Sequence, residues 1–353
     1  MKKVISLFIC VLMCVLNVTP ALANIIGQTD NINIKRDDYA QEIIKTYIEV
    51  STDASENDIF NLSQAYTVNN DEKNDNRIYF LFKNGICIGQ LSVAFINNRF
   101  TSTFFSYDIP VITTAYKNST SFSLWSKGES LFFVSENAIN LLNGPSITSN
   151  KLVLPTDINS TYSMLNLSSI SYLPSNETRV IDELILDVIY RSNYELSNGH
   201  GICWAACDAS IGEYHTGTRL TAYQLYIYLS DLYNDQPEGN EQWKKRAIRY
   251  YGLTPVYQNN GLSLTTTLSR LNEGKPIHAG IERSSASTTH GVVICGYKTV
   301  NNSTNYCLKL MDPNVDANIW TEPMPYNASA ADFVYTTTYT YVYDNWLNSM
   351  WVS

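Results

Sequence analysis

The chain has 353 residues, of which 44% are hydrophobic and 16% are charged, so it has enough apolar material for packed cores and too little charge for a disordered protein. Its formal net charge of −9 argues against nucleic acid or an anionic membrane surface as its main partner. The length predicts two globular domains after any targeting segment is removed.

Residues 1–23 have the three parts of a secretory signal. Two lysines precede an apolar run at 4–16, and a small-x-small cleavage site ends at Ala23. The apolar run is shorter than the roughly 20 residues of a membrane-spanning helix, which favours a cleaved signal over a retained anchor. We therefore expect a secreted protein that is cut after Ala23 and has no stable membrane insertion afterwards.

Residues 24–176 are predicted to form a small α+β domain. A helical repeat of apolar residues near 39–50 is followed by aromatic and β-branched runs that are typical of strands. These runs lie at 76–82, 88–95, 100–105 and 130–134. The segment 155–178 is rich in Asn, Ser, Thr and Pro, which predicts an exposed linker open to proteolysis, and we place the domain boundary within it.

Residues 177–353 show helical patterns first and strand patterns afterwards. The helical patterns lie at 201–211, 220–232, 242–251 and 264–271, and the strand patterns lie at 276–282, 291–297, 306–311 and 333–343. This order predicts an α+β fold in which a helical layer packs on an antiparallel sheet.

Five cysteines remain after the signal, and an odd number in an exported chain predicts at least one unpaired thiol. Cys203 is the strongest candidate for a nucleophile. It follows a loop that contains Gly199 and Gly201, and it opens an apolar helix. A helix N-terminus lowers the pKa of a thiol, which increases the share of reactive thiolate.

His290 and Asp312 complete a candidate catalytic set. His290 lies at the start of the apolar strand 291–297, where a general base would be held rigidly. Asp312 ends the next strand, where its carboxylate would accept the second imidazole N–H and set the tautomer of the ring. Because it precedes a proline, Asp312 also fits the alternative role of a turn former.

Four segments in this order resemble the papain-like cysteine peptidases of bacteria, closest to the subgroup called peptidase C39-like, with the staphopain and streptopain types related. They are 203–206 (Cys-Trp-Ala-Ala), 274–277 (Gly-Lys-Pro-Ile), 289–297 (Thr-His-Gly-Val-Val-Ile-Cys-Gly-Tyr) and 311–313 (Met-Asp-Pro). The resemblance covers roughly residues 190–345. It implies a papain-like mature domain at 177–353, made as a proenzyme with residues 24–176 as an α+β propeptide or accessory domain.

The same resemblance implies a secreted endopeptidase that cleaves protein or peptide substrates through a thioester acyl-enzyme. Cys203 would be the nucleophile, His290 the base and Asp312 the orienting carboxylate, with no metal or organic cofactor. The propeptide would be a further partner of the cleft, as its inhibitor. Members of the family also carry a glutamine shortly before the cysteine as an oxyanion donor. Here Asn198 is the only side-chain amide in that loop, so we expect it to take this role, with His200 as the competing donor.

Other interpretations stay open at this stage. A catalytically inactive papain-like binding protein and an acyltransferase of transglutaminase-like chemistry both fit the motifs. Cys207, one helical turn after Cys203, is more typical of a core or disulfide cysteine. Together with His200 and His215, the two cysteines have the residue types of a zinc site, although their spacing fits poorly. His278, within an apolar strand, is typical of a buried histidine with a satisfied partner.

Overall fold

The computed structural model describes twelve stretches of the chain, and the statements below concern these residues. They are 29–49, 58–69, 77–96, 99–127, 130–135, 138–143, 170–171, 182–196, 200–283, 288–299, 305–336 and 342–353. The predicted signal at 1–23 lies outside them, as does the predicted linker apart from residues 170–171.

Six α-helices lie within this part of the chain, and the helical patterns of the sequence are confirmed by them. They are α1 (Thr29–Glu49), α2 (Pro110–Lys117), α3 (Cys203–Thr216), α4 (Ala222–Tyr233), α5 (Glu241–Tyr250) and α6 (Leu264–Asn272), with a short 3-10 helix at Ala330–Asp332. None of the helices in the described stretches has the length and apolar character needed to cross a membrane.

The strands of the first half are β1 (Ile59–Leu62), β2 (Tyr66–Asn69), β3 (Arg77–Lys83), β4 (Ile86–Ile96), β5 (Arg99–Ser106), β6 (Ser123–Lys127), β7 (Ser130–Ser135), β8 (Ala138–Asn143) and β9 (Ile170–Ser171). Those of the second half are β10 (Glu183–Ile185), β11 (Pro255–Gln258), β12 (Ile277–Arg283), β13 (Thr288–Thr299), β14 (Asn305–Asp312), β15 (Val315–Thr321), β16 (Met324–Pro325), β17 (Tyr335–Thr336), β18 (Val342–Tyr343) and β19 (Asn345–Val352).

A large, mostly antiparallel sheet runs through both halves of the chain. Its central order is β11, β19, β12, β13, β14, β15, β5, β4, β3, β1 and β9, each antiparallel to the next. The β2–β6 pair is parallel. The molecule therefore combines helices with one extended sheet.

The two halves meet where β5 pairs with β15. Phe105 lies opposite Ile319 in this ladder, and both side chains are fully buried in a core that contains residues of the two halves. Beside it, the hydroxyl of Tyr47 on α1 donates to the backbone carbonyls of Trp320 and Thr321, at 3.0 and 2.8 Å. Backbone pairing, apolar burial and side-chain hydrogen bonds thus all join the first half to the second.

Helix α3 is the central helix of the second half. Its alanines at 205, 206 and 209 are fully buried, and small side chains let a helix approach its neighbours closely. α3 packs against α4 and α5 on one side and against β12 and β13 on the other. The helix ends at Thr216 and is capped by Gly217, whose left-handed φ of 72° suits glycine. This packing fixes the position of the first turn of α3 relative to the sheet.

The tyrosine-rich segment 333–343 differs from the single long strand that its alternating pattern predicted. Its described parts form a two-stranded hairpin, in which Tyr335 of β17 lies opposite Tyr343 of β18. Both tyrosines are buried. A period of two residues reports extended backbone but carries no information about which residues pair, so the pairing of β17 with β18 was missed.

Candidate active site

Cys203 is the first residue of α3, at the end of a short loop. The backbone N–H of Ile202 donates to the carbonyl of Tyr194 at 3.0 Å, and Glu195 and Gly201 form an isolated antiparallel bridge. Unlike α4, α5 and α6, this helix has no side-chain cap at its N-terminus. Among the five cysteines at 87, 203, 207, 295 and 307, all are free thiols and only Cys203 is partly exposed.

His290 lies on β13, opposite Ile281 of β12, and its side chain is almost completely buried. Its Nε2–H donates to Asp312 Oδ1 at 2.8 Å. Its Nδ1 meets no hydrogen-bond partner of normal geometry within the described residues. Cys203 nevertheless lies close enough to raise the pKa of His290, and with Nε2 committed to Asp312 the nitrogen left for the thiol is Nδ1.

Asp312 ends β14 and is fully buried. Its Oδ1 accepts the His290 bond and also the backbone N–H of Asn314 at 2.8 Å, while its Oδ2 accepts the hydroxyl of Tyr335 at 2.5 Å. The turn that follows is held from a second segment, because Tyr190 Oη donates to the carbonyl of Pro313 at 3.0 Å. Asp312 therefore both shapes the β14–β15 turn and accepts a hydrogen bond from His290. The two roles that the sequence suggested for it, turn former and orienting carboxylate, are compatible in this geometry.

The electrostatics of this pair favour opposite charges. Burial alone would lower the pKa of His290, but the charges of Asp312 and Cys203, together with the hydrogen bond to Asp312, raise it well above its usual range. Burial alone would raise the pKa of Asp312, but the charge and hydrogen bond of His290, together with Tyr335 and the Asn314 N–H, hold it below the usual value. These shifts favour a protonated, positively charged His290 between the carboxylate of Asp312 and the side chain of Cys203.

Cys207, His278 and Asp208 form a second Cys–His–Asp set, which is buried behind the first. His278 Nδ1–H donates to Asp208 Oδ1 at 2.6 Å, and a side chain at Gly291 would touch both His278 Nε2 and Cys207 Sγ. All three residues of this set have 0% exposure. Burial raises the pKa of Cys207 and lowers that of His278, so both stay neutral. Without access for a substrate, this set is structural, and exposure singles out Cys203.

Lys244 of α5 joins the buried polar groups near this second set. Its ammonium donates to Asn348 Oδ1 at 2.9 Å, and burial lowers its pKa while the charge of Asp208 raises it. Its charge also interacts with that of Cys203. Sequence reasoning missed this lysine, because its amphipathic helix shows it only as one of several surface-type cations.

Of the predicted site residues, Cys203, His290 and Asp312 are brought together. Asn198 lies outside the described residues. His200 is described and exposed, and its carbonyl accepts the backbone N–H of Leu196 at 2.9 Å. In the described part of the chain, no group of three or more His, Cys, Asp or Glu side chains is placed to hold a metal ion.

Two tyrosines beside the His–Asp pair were not predicted as site residues. Tyr335 donates to Asp312, and the ring of Tyr343 lies 5.5 Å from the ring of His290, centroid to centroid. The only sequence signal was the tyrosine-rich alternation of 333–343, which predicted a strand. That pattern gave no indication of a polar role for the hydroxyl at 335.

Comparison with known proteins places these residues in a family context. Residues 185–324 match the model of the family described as "papain-like cysteine protease AvrRpt2", a range that contains Cys203, His290 and Asp312. A crystal structure of a protein from Bacillus anthracis, described as a C39-like peptidase, aligns with 49% of this chain and 98% of its own at 13% identity and a TM-score of 0.31. No curated protein matches the sequence.

Proposed function

We propose that the chain is a papain-like cysteine endopeptidase whose catalytic triad is Cys203, His290 and Asp312, and the match of residues 185–324 to the papain-like cysteine protease model supports this. The observation that carries this proposal is the geometry of His290. One ring nitrogen is bonded to a buried carboxylate, and the other is left for Cys203 at the start of α3, the one partly exposed thiol among the described residues. A nucleophile, a base and an orienting carboxylate in this order are what acyl transfer requires.

The proposed reaction starts from the thiolate of Cys203 and the imidazolium of His290. The sulfur attacks the peptide carbonyl carbon, so that a C–S bond forms and the carbonyl electrons move onto oxygen. His290 gives its proton to the amine as the C–N bond breaks, which leaves a thioester. His290 then takes a proton from water as the water oxygen attacks the thioester. The C–S bond breaks, and the acid product leaves with the enzyme restored.

We assign the oxyanion site to the backbone N–H of Cys203 and the side-chain amide of Asn198. The N-terminus of a helix presents N–H groups to negative charge, and an amide donates without titrating. Removing one such donor typically lowers kcat by about 10²–10³-fold, so Asn198→Ala is expected to slow turnover by that factor with little change in KM. If Asn198→Ala is near wild type and His200→Ala takes the loss, the second donor is His200.

We also propose that the protein is exported after cleavage behind Ala23, and that it is a proenzyme with residues 24–176 as its propeptide. The sequence of residues 1–23 supports export, and the predicted linker at 155–178 supports activation by a cut. Because β5 and β15 pair directly, we propose that a cut in the linker loosens the cover of the cleft without removing the first half from the sheet. Mass spectrometry of the secreted protein should find Asn24 as the first residue, and Cys203 should label faster once the linker is cut. Equal labelling before and after would make the first half an accessory module.

Active-site titration tests the triad directly. A peptidyl epoxide should label Cys203 in the purified protein and abolish hydrolysis of a fluorogenic peptide. Cys203→Ala should be inactive and folded, while Cys207→Ala should keep its activity because Cys207 is buried. Loss of activity in Cys207→Ala with retention in Cys203→Ala would overturn the assignment. An absence of labelling would indicate a binding protein, and transfer to an added amine in preference to water would indicate an acyltransferase.

A further inference from the structure

The β17–β18 hairpin places two buried aromatic rings over the His290–Asp312 pair. Tyr335 donates its hydroxyl to Asp312 Oδ2 at 2.5 Å, and Tyr343 lies against His290. The two tyrosine rings are themselves stacked, with centroids 6.4 Å apart and an angle of 24° between their planes. Tyr335 and Tyr343 both follow residue 324, where the family match ends, so nothing in that match assigns them a role.

We propose that Tyr335 is a positioning residue of the catalytic triad, and that strand β5 of the first half of the chain holds it in place. This inference rests on the proposed role of Asp312. It extends the site beyond the Cys, His and Asp side chains to a hydroxyl on a hairpin that the first half supports.

The hydrogen bonds of Asp312 explain why the hydroxyl matters. One carboxylate oxygen serves His290 and the Asn314 N–H, and Tyr335 donates to the other. These bonds to both oxygens fix the rotation of the carboxylate plane, and with it the direction in which Oδ1 faces the imidazole. Without the hydroxyl, Oδ2 would lose this bond inside a buried site, and a buried carboxylate oxygen without its donor is strongly unfavourable.

The first half of the chain touches the hairpin directly. The backbone N–H of Thr336 donates to Thr103 Oγ1 on β5 at 3.0 Å, and the ring of Phe105 on the same strand lies 6.2 Å from that of Tyr335, centroid to centroid. All four residues are fully buried. Because β5 is also paired with β15, its position relative to Asp312 is set by the sheet itself. The first half therefore supports the triad from the Asp312 side.

Tyr335→Phe is the direct test, since it removes the hydroxyl and keeps the ring. With rates expressed per titrated Cys203, we expect kcat to fall by about tenfold and KM to change little. The Tyr335 bond favours the charged form of Asp312, so its loss raises the pKa of that group. The acid limb of the kcat/KM profile should therefore move to higher pH.

Tyr297→Phe is the matched control. Tyr297 is a buried tyrosine on β13 whose hydroxyl donates to Asn272 Oδ1 at 2.9 Å, away from Asp312. Tyr297→Phe should lower the free energy of unfolding without moving the pH profile of kcat/KM. Thr103→Val removes the acceptor of the Thr336 N–H and should give a smaller loss of kcat in the same direction, which also covers the case in which Tyr335→Phe folds poorly.

The outcomes separate this inference from the proposed function. An unchanged kcat and pH profile in Tyr335→Phe, or an equal change in Tyr297→Phe, would overturn the positioning role. Asp312→Ala is measured in parallel. If it loses activity while Tyr335→Phe does not, only the inference fails; if Asp312→Ala keeps full activity, the triad assignment fails and the inference fails with it.

Discussion

Gly291→Ala should disturb the active site by adding a single methyl group behind it. Gly291 follows His290 on β13, where the first turns of α3 cross the sheet. A Cβ there would lie 3.0 Å from His278 Nε2, 3.4 Å from Cys207 Sγ and 3.5 Å from the backbone nitrogen of Trp204. Carbon atoms in good contact are about 3.5–4.0 Å apart, so the methyl group is too close to the first two atoms.

The neighbours of this methyl group have little freedom to move away. His278 is held by its bond to Asp208, and Cys207 belongs to the packed part of α3. We therefore expect α3 to shift by a few tenths of an ångström from β13, with a stability loss of about 1–3 kcal/mol for overpacking. Cys203 opens this helix and would move away from His290. Since a displacement of about 1 Å can cost about 10²-fold in rate, kcat/KM should fall by about 3–10-fold.

The assay combines urea unfolding, kcat/KM per titrated site and the rate of Cys203 alkylation by iodoacetamide. Gly296→Ala is the control on the same strand. Its Cβ would lie 2.6 Å from the carbonyl oxygen of Leu184, so it should destabilise the fold without slowing Cys203. Wild-type stability and kcat/KM in Gly291→Ala would refute the reasoning, and so would an equal loss of Cys203 reactivity in Gly296→Ala.

Three further predictions follow from individual contacts. Asp312 raises the pKa of His290, so Asp312→Asn should move the basic limb of the kcat/KM profile to lower pH, and an unmoved limb would contradict this. Asp208→Ala removes the acceptor of a fully buried His278 N–H and should cost about 1–3 kcal/mol in urea unfolding, with a smaller loss in Asp208→Asn, which keeps an acceptor for His278. Tyr47→Phe removes the donor to two carbonyls of β15 and should cost about 1–2 kcal/mol; unchanged unfolding would show that this contact does not stabilise the junction of the two halves.

Local patterns in the sequence were sufficient for the elements that carry the candidate site. The alanine-rich apolar run after Cys203 predicted α3, and the apolar residues after His290 predicted β13. The apolar pattern at 306–311 likewise predicted β14, which ends at Asp312. Helix and strand periodicities depend on neighbours a few residues apart, so a single sequence reports them well.

The sequence favoured Cys203 and His290 over Cys207 and His278, but it could not show how these side chains pair in space. It contains two Cys–His–Asp sets with similar local surroundings, and Cys203 and Cys207 are one helical turn apart. The structure separates them by pairing His290 with Asp312 and His278 with Asp208, and by leaving only Cys203 partly exposed. Burial and long-range pairing depend on residues far apart in the chain, which periodicity does not report.

The junction of the two halves was also decided by tertiary structure alone. By itself, the sequence predicted a secretory signal, two differently patterned halves, and the cysteine, histidine and aspartate of a candidate peptidase site. It contained no sign that β5 would extend the sheet beyond β15, or that Tyr335 would reach Asp312 from a hairpin packed on β5. Strand order and contacts across a sheet depend on which apolar faces are buried against each other. At this junction the contacting residues lie more than two hundred positions apart in the chain, as Thr103 and Thr336 do.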